Sequence, residues 1–126
     1  MKRTPVITIK APQAIGPYSQ GLSSGEMVFV SGQTPLTADG NMVPGGAAEQ
    51  TQQCLMNIMM ILAAAGLTMN DVIKTTVFMT DLGQFAAMNE VYAKHFKTPY
   101  PARATVQVSA LPRGAAIEIE AVAVRP

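Results

Sequence analysis

The sequence predicts an α+β fold in which two helices cover one side of a sheet, and three observations carry that prediction. Apolar, β-branched runs of strand length lie at residues 27–31, 72–80, 102–108 and 116–124. Two longer stretches, at 47–65 and after Asp81, space their apolar residues by three and four, the period of a helix. The order along the chain is strands, helix, strand, helix and a final pair of strands, with no linker, repeat or low-complexity tract to divide it. A chain of 126 residues is long enough for one core and short for two, so 1–126 is expected to be a single domain.

Taken in order, residues 27–31 (MVFVS) sit between Gly25 and Gly32 and read as a buried strand. Residues 35–46 are loop, rich in Gly, Pro, Asp and Asn. Thr51, Leu55, Ile58 or Met59, Leu62 and Ala65 form one helical face, and Gly66 marks its stop. Residues 72–80 read as a strand from their β-branched content. Asp81 with Gln84 three positions on is a capping-box signature for a second helix. Its face is Phe85, Met88, Tyr92 and Phe96, and Pro99 and Pro101 end it. The last two strands are expected to form a hairpin, turning around Leu111-Pro112-Arg113-Gly114.

The strands are apolar on both sides. Met27 and Phe29 alternate with Val28 and Val30, and Val72, Phe78, Val122 and Val124 fall opposite their strands' other apolar set. Two helices cover only one face of such a sheet, so the remaining face calls for another subunit. The spacing therefore predicts a homo-oligomer.

Composition excludes several function classes. Nine Lys+Arg against eight Asp+Glu leave a net charge of +1, without the basic face of a nucleic-acid binder. One cysteine, Cys54, and one histidine, His95, argue against disulfides and metal centres. No apolar stretch is long enough to span a bilayer, and residues 4–13 are no signal core. The expectation is a cytoplasmic protein without metal, cofactor, membrane or nucleic-acid partner.

In the expected hairpin, alternation puts Arg103, Thr105 and Gln107 on the face opposite Ala102, Ala104, Val106 and Val108. In the partner strand Ile117, Ile119, Ala121 and Ala123 take the apolar side, leaving Glu118 and Glu120 on the other. Arg103 is then expected across from Glu118 or Glu120, on one shared face. Spacing alone leaves two readings open: a structural ion pair at an interface, or a functional site.

Several segments together resemble one family, the reactive-intermediate deaminase (Rid, YjgF-like) proteins. They are Ala14-Ile15-Gly16-Pro17-Tyr18-Ser19-Gln20, Val30-Ser31-Gly32-Gln33, Ala64-Ala65-Gly66-Leu67 and Val72-Ile73-Lys74-Thr75-Thr76-Val77-Phe78. Asn89-Glu90-Val91-Tyr92, Pro101-Ala102-Arg103-Ala104-Thr105-Val106, Leu111-Pro112 and Ile117-Glu118-Ile119-Glu120-Ala121 complete the set, which extends over essentially the whole chain. The resemblance implies a two-layer sandwich with a mixed sheet of about six strands and two helices on one face. It also implies a chorismate-mutase-like homotrimer with clefts between subunits.

The implied activity is hydrolysis of reactive 2-enamino and 2-imino acids, such as 2-aminoacrylate, 2-iminopropanoate and 2-iminobutanoate, to 2-oxo acids and ammonia, without a cofactor. This would clear such intermediates before they damage other enzymes. Arg103 would grip the substrate carboxylate and Glu118 would activate water. The backbone at Gly32 and Thr105 would contact the ligand, and Tyr18, Ser31 and Asn89 would line the cleft; Glu120 is read as support. Thr105 departs from the cysteine many relatives carry there, so no thiol chemistry is transferred. Two other implied activities are a 2-oxo-acid-binding regulatory trimer without turnover, and RNA cleavage or translation inhibition.

The remaining candidates have plain readings. His95 is a surface residue at a helix C-terminus, Cys54 a small core hydrophobe, and the methionines adaptable packing. The loop between Gly40 and Gly46 lacks a phosphate-binding pattern.

Overall fold

The computed structural model describes residues 2–126. Six strands form one sheet in the order β1-β2-β3-β6-β4-β5, with β1 at Arg3–Val6, β2 at Gly21–Ser24, β3 at Met27–Gln33, β4 at Val72–Met79, β5 at Ala102–Gln107 and β6 at Ile117–Val124. Two helices, α1 at Ala47–Ala64 and α2 at Phe85–Ala93, lie on one face, with α1 against β3, β6 and α2. The expected α+β sandwich is what forms. Neither β1 nor β2 stands out in the sequence, because both are four residues long and carry Pro5 or polar residues. Pro5 is tolerable on β1, which is an edge strand.

The core fills the space between helices and sheet. Val28 and Val30 from β3, Val77 and Met79 from β4, and Ile117, Ile119, Ala121 and Ala123 from β6 are buried against Leu55, Ile58, Ile61 and Leu62 of α1. Helix α1 ends as its glycine predicts. Gly66 has φ 79°, and the N–H groups of Leu67 and Gly66 donate to the carbonyls of Leu62 and Ala63, satisfying acceptors the helix leaves open. The opposite sheet face carries Met27, Phe29, Phe78, Val122 and Val124, all half-buried or exposed in the single chain.

Four expectations need correction. The last two strands are not a hairpin: β4 lies between them, antiparallel to β6 and parallel to β5. The physical reason is α2, which carries the chain from β4 to β5 as a crossover, and a crossover returns a parallel strand rather than a hairpin partner. Second, Val72 faces the core. A bulge between Val72 and Lys74 shifts alternation by one residue, so Val72 is 6% exposed while Phe78 stays on the open face. Third, Asp81 accepts from Gly83 N at 2.8 Å and caps a 3₁₀ turn, Leu82–Gln84, rather than opening α2 with Gln84 in a capping box. Fourth, His95 is half-buried rather than a surface cap; Nε2 lies 2.7 Å from Gln52 Oε1 of α1, and burial lowers its pKa.

Candidate active site

The parallel register of β4 and β5 fixes where Arg103 points. Thr75 pairs with Arg103, Val77 with Thr105 and Met79 with Gln107, so Arg103 shares the helix-covered face with buried Thr75, Val77 and Met79. Ala104 and Val106 take the open face instead. Glu118 pairs with Phe78 and Glu120 with Thr76, both on that open face. Arg103 and the two glutamates of one chain therefore occupy opposite sides of the sheet. The shared face expected from a hairpin does not exist, because a parallel neighbour strand sets its own alternation.

The groups collect into two separate clefts. One, of about 510 Å³, is lined by Tyr18, Gln20, Gly32, Leu36, Arg113 and Glu118 among others. The second, about 470 Å³, holds Asn89, Tyr92, Ala93, Tyr100, Pro101 and Arg103. Ser31 falls beside the first cleft, in a shallower depression with Tyr18 and Phe29.

Around Glu118 the chain makes room by leaving out a side chain. A Cβ on Gly32 would collide with the Glu118 carboxylate, so the acid lies directly against the β3 backbone. A bulge between Val30 and Gln33 opens the ladder at that point. Helix α1 holds both flanks: Gln50 Oε1 accepts from Ala116 N at 2.8 Å and Ile117 N at 3.2 Å, and Asn57 Nδ2 donates to Leu36 O at 2.9 Å. Both side chains are buried, and neither belongs to the apolar face read from spacing. Burial first, and the neighbouring Glu120 carboxylate second, raise the pKa of Glu118. Both influences favour its protonated form.

Tyr18 reaches the same cleft from the loop before β2. Gln20, 4% exposed, organises that loop by accepting from Thr8 N at 2.8 Å and donating to Thr8 O at 3.0 Å and Pro12 O at 2.8 Å. Ser31 Oγ donates to Ser19 O at 2.6 Å, which ties β3 to the residue after Tyr18. Arg113, with φ 58°, donates from Nη1 to Gly40 O at 2.7 Å and closes the far rim. The only trace of Arg113 in the sequence is the Leu111–Gly114 turn.

Around Arg103 the contacts are of another kind. Its Nη1 donates to Asn89 Oδ1 at 2.7 Å, and its guanidinium carbon lies 4.7 Å from the Tyr92 ring centroid and 5.5 Å from that of Phe85. At an exposed site such cation–π contacts contribute roughly 0.5–1 kcal/mol each. Asn89, expected to line the cleft, thus also holds the arginine. Thr105 Oγ1 is buried without a hydrogen-bond partner, the one such side-chain atom found among the described residues. Cys54 is fully buried, with burial pushing its thiol pKa upward, and among the described residues no group of three His, Cys, Asp or Glu side chains is placed to hold a metal ion. No helix among them is long and apolar enough to cross a membrane.

A helix-backed mixed sheet bearing an acid set against a glycine backbone and, on its other side, a ring-stacked arginine defines an α+β sandwich with two polar clefts. Comparison narrows the class: residues 8–125 match the endoribonuclease L-PSP family, and the chain belongs to that family, which includes the YjgF and RidA proteins. It is 52% identical to the RutC family protein y4sK of Sinorhizobium fredii, over 94% of each chain. It is 48% identical to mouse 2-iminobutanoate/2-iminopropanoate deaminase, covering 98% of this chain and 92% of that protein. Among solved structures, Escherichia coli TdcF with bound serine superposes with TM-score 0.91 at 46% identity, covering 98% of this chain and 99% of the other.

Proposed function

We propose that this chain is an imine deaminase whose active site forms where the Arg103 cleft of one subunit meets the Glu118 cleft of its neighbour in a homotrimer. The observation that carries the proposal is the Glu118 carboxyl, half-buried against Gly32 with its proton affinity raised. An acid in that state both takes a proton from water and returns one. The identity to the mouse deaminase supports the substrate class.

In the proposed reaction Arg103 clamps the carboxylate of a 2-imino acid, each charge-assisted hydrogen bond contributing roughly 1.5–3 kcal/mol. Glu118, ionised, removes a proton from water as its oxygen bonds to the C=N carbon and the π pair moves to nitrogen. The protonated Glu118 then delivers that proton to nitrogen. Glu118 next takes the hydroxyl proton of the resulting carbinolamine and passes it to the same nitrogen; the O–H electron pair forms the carbonyl as the C–N bond breaks, ammonia leaves, and the 2-oxo acid remains. A 2-enamino acid first takes a proton at C3 and gives one up from nitrogen to become the imine. Pairing the clefts across subunits also explains the open face, whose Phe29 and Val106 are 45% and 40% exposed in one chain.

A binder without turnover is the second reading, favoured by the serine held in TdcF. Generating 2-aminoacrylate in situ and following its capture by semicarbazide separates the two. The deaminase reading expects the protein to cut capture and Arg103→Ala to restore it. Full capture beside wild-type protein, with 2-oxobutanoate still bound, would leave the binder.

A further inference from the structure

Arg103 lies exposed on an edge strand, where a long side chain has many rotamers to choose from. Three neighbours decide which one it takes, and they differ in rigidity. Phe85 begins α2 and is 39% exposed, and Asn89 is half-buried. Tyr92 is 5% exposed, and its Oη lies 2.7 Å from Oγ1 of Thr75, which is 1% exposed. Thr75 is in turn the register partner of Arg103 in the parallel ladder. The result is a closed circuit: the β5 backbone pairs with β4, Thr75 of β4 holds the Tyr92 phenol, and the Tyr92 ring meets the guanidinium returning from β5.

We propose that Tyr92 is the positioning residue of the carboxylate clamp, its ring locked by Thr75 so that it sets the plane and direction of the Arg103 guanidinium. This rests on the reading of Arg103 as the group that binds the substrate carboxylate. A phenylalanine would fill the same volume and offer the same π face. What the hydroxyl adds is a fixed tilt, because a buried phenol has to keep its one partner. A bidentate grip requires two of the three guanidinium nitrogens in the plane of the carboxylate, so a ring free to rock loosens the grip without emptying the site. A purely structural Tyr92, packed on Phe96 with ring centroids 4.6 Å apart, would affect stability alone.

The test compares Tyr92→Phe, Thr75→Val and their double variant in the assembled protein. Each single change should raise KM for 2-iminobutanoate and the Kd for 2-oxobutanoate by about three- to thirty-fold, with kcat nearly constant. The double variant should be no worse than either single one, and Tyr92→Phe should weaken 2-oxobutanoate little further in an Arg103→Lys background, where a point charge has no plane to set. The Arg103 Nε–Hε nuclear magnetic resonance signal, identified by its loss in Arg103→Lys, should move toward the position of free arginine in both single variants. That last readout needs no substrate, so it decides the role of Tyr92 even if the wild-type protein hydrolyses no imine. An unmoved signal, a lower melting temperature with KM and Kd unchanged, or equal loss with and without Arg103 would overturn the proposal.

Discussion

Two halves of a candidate site occur in this chain, and they are built on different principles. Around Glu118 the scaffold is central: β6 is paired on both sides, α1 holds its start through Gln50, and Gly32 supplies space by having no side chain. Around Arg103 the scaffold is peripheral: β5 is an edge strand, and the guanidinium is held by side chains of α2 rather than by the sheet. The acid is placed by backbone and burial, the cation by stacking and one hydrogen bond. An acid needs a low-dielectric place to have its proton affinity raised, whereas a carboxylate clamp at an edge stays free to face another chain.

The largest effects should fall on the two groups proposed to meet the substrate, and unequally. Glu118→Gln should lower kcat by about 10²–10⁴-fold while 2-oxobutanoate binding persists, whereas Arg103→Ala should lose both. Steady-state hydrolysis beside calorimetric binding measures the contrast, and equal loss of binding in the two variants would erase it. Gly32→Ala should follow, since its methyl displaces the Glu118 carboxylate; about a 10²-fold drop in kcat with little change in oxo-acid affinity is expected.

Smaller effects report the environment of the acid. Because Glu118 has a raised pKa, activity should fall on acidification at a pH above the ordinary glutamate range. Glu120→Gln removes one of the two causes, so the inflection should move to lower pH; an inflection that stays put would show burial acting alone. The smallest effect concerns stability. A carboxyl with a higher folded than unfolded pKa contributes stability below the unfolded value, and that contribution is lost as pH rises through the folded one. Above that folded value ionised Glu118 is thus a cost, and Glu118→Gln should raise Tm there while leaving it nearly unchanged at acidic pH, measured by calorimetry.

Much of the frame is readable from residue order. The periodicity of α1 and Gly66 give that helix nearly to the residue, and alternation gives the two faces of β3 and β6. The site residues are also visible as residue types, because an arginine and a glutamate in apolar strands stand out. Their relative placement is not. Local alternation cannot say which strand lies beside which, so the insertion of β4 between β5 and β6 turned Arg103 to the other face. A one-residue bulge at Val72 has the same effect on a smaller scale. Gln20, Gln50 and Asn57, which hold the loops and strand ends around Glu118, look like ordinary polar residues until their burial is known.

The central claim, that the two halves come from different subunits, is tested most directly by mixing two inactive proteins. Arg103→Ala and Glu118→Gln chains, unfolded together in equal amounts and refolded, should regain about a quarter of wild-type activity per site, because a random cyclic assembly brings an intact Arg103 beside an intact Glu118 at that frequency. Refolded mixtures that hybridise yet stay as inactive as the separate variants would contradict it.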